Sequence, residues 1–242
     1  MLQKTSGIVL HTISYSETSL IVKIYTQEFG FRSYIIGGVR SKKSKNKAGL
    51  FQPLALVDIV VSGSERTALP RISEISIHQP YSHLPFEVIK SSIAIFINEI
   101  LLHSFKEPHP DEELFLFIKN SLLILDLNTE SCSNFHLGFM VQLSRYLGFP
   151  PQGEYGPDTS VFDLREGKFV NYLPQHPDYL QAAASALLSG LISRGYSELA
   201  GLRMGKAERK QLLNALILFY QLHIPSFGQV KSAAVLEEII GG

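Results

Sequence analysis

Five short β-rich runs fill the first 80 residues, and no helical run separates them. They are residues 7–13 (GIVLHTI), 20–26 (LIVKIYT), 31–36 (FRSYII), 54–61 (LALVDIVV) and 72–77 (ISEISI). The last alternates apolar and polar at nearly period two, as a half-buried strand does. Strands this short and this close in sequence bury their apolar faces best by closing on themselves. A five-stranded barrel of about 75 residues has the dimensions of an OB-fold, although five strands suit other small barrels too.

Beyond residue 80 the period changes. Ile89, Ile93, Phe96, Ile97, Ile100 and Leu101 recur at spacings of three and four, the apolar stripe of an amphipathic helix. Pro110 followed by Asp111, Glu112 and Glu113 predicts a second helix start, with proline in the first turn and acids against the positive dipole end. A third helix is expected over 135–147, stopped by Gly148 and Pro150. A fourth is expected to open at Pro177-Asp178, a fifth over 206–222 and a sixth over 230–240. The segment at about 149–176 is irregular, with a small hairpin predicted over 161–170. The expected fold class is therefore α+β: an N-terminal OB-fold barrel over 1–80, then a helical domain over 81–242 carrying that insertion.

The chain is neutral overall, with 22 basic and 22 acidic residues, but the charge is unevenly placed. Residues 1–80 carry a net +5 and the remainder −5. Five of the front cations, Arg40, Lys42, Lys43, Lys45 and Lys47, stand within GGVRSKKSKNKAG at residues 37–49. The stretch is one residue from a phosphate-binding loop, since Lys42 occupies the place of the second glycine. No apolar-periodic helix follows Ser44, and such a loop needs one to aim backbone N–H groups at phosphates. The cations remain a device for neutralising a nucleic-acid backbone. Lys23 and Arg32 on the nearby strands extend the basic surface. Tyr25, Phe29, Phe31 and above all Tyr34 are candidates for stacking unpaired bases.

Catalytic and metal chemistry find little footing. The eight histidines include no pair at helical i, i+4 spacing, and Cys132 is the sole cysteine. Cys132 stands at a helix entry, where a small residue is expected. Glu17, Glu28 and Asp58 are the carboxylates a nuclease reading would use, and they are scattered. The N-terminus lacks a signal-peptide pattern and no apolar run reaches the roughly 18 residues of a membrane span. The expectation is a soluble cytoplasmic protein without cofactor.

Taken in order, several stretches resemble the RecO family of recombination mediators. They are Gly7-Ile8-Val9-Leu10, YSETSLIVK at 15–23, Gly37-Gly38-Val39-Arg40 leading through lysines to Leu50-Phe51-Gln52-Pro53-Leu54, and, near the far end, Leu222-His223-Ile224-Pro225, Phe227-Gly228 and Lys231-Ser232. The resemblance implies an OB-fold followed by helices, and no catalysis. It further implies binding to single- and double-stranded DNA, annealing of complementary strands, and work with RecR to place RecA on strands coated by single-stranded-DNA-binding protein (SSB). Many family members carry a four-cysteine zinc module in the segment from Pro150 to His176. This chain has Gln152, Gly153 and Glu154 there and no cysteine, so no metal is expected. SSB tails are acidic and end in an aromatic residue. Arg203, Lys206, Arg209 and Lys210, before and within the fifth helix, are the candidates for receiving one. An OB-fold module acting on RNA, or a small nucleic-acid enzyme, are the alternatives.

Overall fold

The computed structural model describes residues 2–38, 49–62 and 67–240. Five strands, β1 (Leu2–Ser14), β2 (Leu20–Thr26), β3 (Gly30–Ile36), β4 (Leu56–Ser62) and β5 (Arg71–Gln79), close into a barrel in the order β1-β2-β3-β5-β4. All neighbours are antiparallel except β3 and β5, which run parallel and meet at the single register pair Ile35–Arg71. This is the OB-fold arrangement.

Alternation decides what enters the barrel. Val22 and Ile24 of β2, Tyr34 and Ile36 of β3, and Val57, Ile59 and Val61 of β4 form its core with Val9 and Ile72. The β2–β3 hairpin turns through Gly30, whose φ of 63° suits glycine. A β-carbon there would also collide with the backbone of His109, so both conformation and space demand glycine.

Helices follow: α1 (Val88–Ser104), α2 (Glu112–Leu127), α3 (Phe135–Tyr146), α4 (Ala182–Ile192), α5 (Lys206–His223) and α6 (Ser232–Ile240), with a 3-10 turn at Tyr196–Gly201 before α5. Contacts divide the chain into two compact units. Residues 1–82 group with 105–123, and 83–104 group with 124–242. In the first unit Tyr25 stacks on Phe105 with ring centroids 4.5 Å apart, and its hydroxyl donates to the carbonyl of Asp111. Lys119 of α2 donates to His78 Nε2, while His78 Nδ1 contacts the carboxylate of Asp58, which also accepts from the Ser6 hydroxyl.

In the second unit α3 is almost wholly buried. The 3-10 turn lies against it: Tyr196 stacks on Phe135 at 4.5 Å, and Gly138 leaves room for the Leu199 side chain. The predicted hairpin appears as β6 (Val161–Asp163) and β7 (Lys168–Val170), but a third strand, β8 (Tyr179–Leu180), completes the small sheet. The fourth helix therefore starts at Ala182, not at Pro177-Asp178. The Asp178 carbonyl accepts from the Leu164 N–H, and its carboxylate pairs with Arg165 at 2.7 Å, so it does not cap a helix. The cysteine-free insertion is organised around buried Asp163. Its carboxylate accepts the N–H groups of Arg165 and Glu166 and lies 3.3 Å from His176 Nε2.

Candidate nucleic-acid and partner surfaces

The five loop cations Arg40, Lys42, Lys43, Lys45 and Lys47 lie outside the described residues. The structure separates the strand residues expected to join them. Lys23 stands opposite Ser33 and His11, on the outer face of the β1–β2–β3 ladder. Arg32 stands opposite Ile24, a core residue, and so lies on the inward row at the barrel mouth, where its guanidinium donates to the Thr67 carbonyl at 3.1 Å. Adjacent strand residues alternate faces, and Lys23 and Arg32 do not share one groove.

The expected stacking aromatics require correction. Tyr34 is 0% exposed and belongs to the barrel core, so its ring offers no face to a base. Tyr34 shares its parity with Ile36, which points inward. Tyr25 is on the outer row, yet it too is buried, because Phe105 and Phe115 cover it. Phe31 is half-buried and lies 5.8 Å from the same Phe105 ring.

The helical candidates are better gathered. Lys206, Arg209 and Lys210 of α5 line a cavity of about 310 Å³ together with Leu213, His136 of α3, and Leu236 and Ile240 of α6. Arg203 is exposed and is not among the lining residues. The spacing 206, 209, 210, 213 is one face of a helix, which is why sequence clustering alone located three of the four.

The guanidinium of Arg209 is fixed by its neighbours. Its Nε donates to Asn134 Oδ1 at 3.1 Å and its Nη2 to the Met204 carbonyl at 3.0 Å. His136 also lines the cavity, and its Nδ1 is buried without a hydrogen-bond partner. Burial first, and then the neighbouring Arg209 charge, push its pKa down to about 3, so the imidazole is neutral at ordinary pH. Sequence reasoning missed His136, because a histidine within an apolar helix carries no periodic signal of its own. A fixed guanidinium, two exposed lysines and an apolar lining suit a ligand that is anionic along one edge and apolar at one point.

Among the described residues, no group of three or more His, Cys, Asp or Glu side chains is placed to hold a metal ion. No helix among them is long and apolar enough to cross a membrane.

Residues 1–81 match the family described as "Recombination protein O N terminal", and residues 85–232 match "Recombination protein O C terminal". The chain is 37% identical over 240 residues to the DNA repair protein RecO of Bacteroides fragilis, covering 99% of both chains. It is 37% identical over 239 residues to that of Phocaeicola vulgatus, again over 99% of both. It is 34% identical over 244 residues to that of Christiangramia forsetii, covering 100% of both.

Proposed function

Since the chain belongs to the RecO family of DNA repair proteins, we propose that it is a recombination mediator working in the cytoplasm without catalysis of its own. It binds single- and double-stranded DNA, anneals complementary strands, and with RecR helps load RecA onto SSB-coated DNA. The basic stretch of Arg40, Lys42, Lys43, Lys45 and Lys47 supplies backbone contacts that are indifferent to sequence. The observation that carries the mediator reading is the cavity beside α5. Its cations, Lys206, Arg209 and Lys210, face acidic residues of an SSB tail, and its apolar lining, Leu213 and Leu236, receives the terminal aromatic ring.

The experiment is annealing of complementary oligonucleotides coated with SSB, with neither nucleotide nor metal added. Annealing that proceeds on SSB-coated strands supports the mediator reading. Binding to RNA in preference to DNA, without annealing, would favour the RNA-module alternative.

A further inference from the structure

The cavity beside α5 already contains a carboxylate of the chain's own. Glu237 of α6 lines it and approaches Lys210 Nζ at 2.8 Å. The pair is lopsided. The Glu237 side chain is 18% exposed, while that of Lys210 is 61% exposed. The acid is tucked against the cavity and the lysine bends back to it, which is the geometry an incoming carboxylate would use.

The helix that presents Glu237 is slight. α6 has nine residues and buries only Ala233 and Leu236. A helix of that length is not stable alone in water, so its position depends on tertiary anchors. One anchor is Glu99 of α1, whose carboxylate accepts the backbone N–H groups of Lys231 and Ser232 at 2.9 and 2.8 Å and also the Ser232 hydroxyl. Those contacts cap the start of α6 and fix where Glu237, more than a turn later, must fall.

We propose that Glu237 is an internal competitor for this cavity, holding Lys210 in the free protein and surrendering it to an acidic ligand. The inference rests on the acidic-tail reading of the cavity and adds a selection rule to it. A ligand with a single carboxylate that pairs with Lys210 must displace Glu237 to do so, and gains little there. A ligand with several carboxylates engages Lys206 and Arg209 as well, and displaces Glu237 at a net advantage. The competitor thus turns a weakly basic cavity into one that discriminates in favour of multiply acidic chains.

The test uses the full-length protein and a fluorescently labelled synthetic peptide carrying three aspartates and a C-terminal phenylalanine. Affinity is measured by anisotropy for the parent, Glu237→Gln, Glu238→Gln, Lys210→Gln, Lys206→Glu and the Glu237→Gln/Lys210→Gln double variant. All the altered side chains are at least partly exposed, and thermal melts check that each variant folds. Glu237→Gln should bind roughly two- to fivefold more tightly, the effect of freeing a partly exposed ion pair. Glu238 lines the same cavity and Glu238→Gln removes the same charge, but the ion pair to Lys210 belongs to Glu237, so Glu238→Gln should do less. In the Lys210→Gln background the gain from Glu237→Gln should vanish. Equal gains from Glu237→Gln and Glu238→Gln, or a gain that persists without Lys210, would overturn the competitor and leave only a general field effect. No gain at Glu237 while Lys206→Glu still weakens binding would sink the competitor but keep the cavity as the peptide site. Peptide binding indifferent to Lys206→Glu and Lys210→Gln would remove the cavity reading itself, and the competitor with it.

Discussion

Asn134 Oδ1 accepts a hydrogen bond from Arg209 Nε at 3.1 Å, joining the residue before α3 to the cationic face of α5. An asparagine at that position would ordinarily turn its side chain onto the first N–H groups of its own helix. Here it makes no such cap. Its amide instead donates to the carbonyls of Leu199 and Leu202 while its oxygen holds the arginine. One small side chain thus ties α3, the 3-10 turn and α5 together. Asn134→Ala should cost about 1–3 kcal/mol of stability, because it leaves buried groups without partners. It should also weaken binding of an acidic peptide by freeing the guanidinium. A chemical denaturation curve and a peptide titration on the same sample check both. An unchanged peptide affinity would mean that the fixed geometry of Arg209 is not used.

The basic stretch has a quantitative signature. Engagement of three or four phosphates on a single strand gives a slope of roughly −2 to −3 in log K against log salt concentration. Replacing Lys42, Lys43, Lys45 and Lys47 by alanine should flatten the slope by about that amount and weaken binding evenly across sequences. Titrations of single-stranded DNA at several salt concentrations measure it. A quadruple variant with the parent's affinity and slope would assign DNA binding elsewhere.

Tyr34 distinguishes a core residue from a binding residue. Its hydroxyl is buried without a hydrogen-bond partner, and the nearby Thr26 hydroxyl is already engaged with Gly30 and Phe29. Tyr34→Phe should therefore leave stability within about 1 kcal/mol of the parent or raise it, whereas Tyr34→Ala should cost about 3–5 kcal/mol. DNA affinity should be untouched by Tyr34→Phe. A melting curve for each variant and one DNA titration decide the matter.

His136 gives the fold a defined acid sensitivity. The folded protein keeps the imidazole neutral down to about pH 3, while the unfolded chain takes up a proton near pH 6.5. This contribution is complete above about pH 6.5 and is lost as the pH falls towards the folded value, at up to about 1.4 kcal/mol per pH unit. Between pH 6.5 and 5 the parent should lose about 1–2 kcal/mol more than His136→Phe does. Urea denaturation of both proteins across that interval tests it, and parallel losses would mean that His136 is not the group responsible.

The barrel was legible because its strands carry their own signals. β2 falls at Leu20–Thr26, where the β-rich run placed it, and α3 ends at Tyr146, just before the glycine and proline stops at 148 and 150. What stayed hidden depended on partners distant in sequence. Tyr25 sits on the outer row and looks available until Phe105 and Phe115, some 80 residues on, cover it. Nothing in the local pattern of 105–123 says that this stretch packs with the strands and not with the other helices. β8 is two residues long, too short for any period, and exists because Phe162 and Asp163 offer an edge to pair with. The cavity was half legible. Its lysines and arginine cluster in sequence, but its apolar lining from α6 and its buried His136 come together only through packing.

The parallel meeting of β3 and β5 has a mechanical meaning. Every other strand pair in the barrel is secured by a ladder of six or more register pairs, while this seam has one, supported by the hydrogen bond from Ile35 N–H to the Pro70 carbonyl. The basic stretch leaves the barrel directly from the end of β3. The seam is therefore the least-paired joint of the barrel, and it lies at the strand from which that stretch departs. The barrel is closed by its long ladders and merely latched where β3 meets β5.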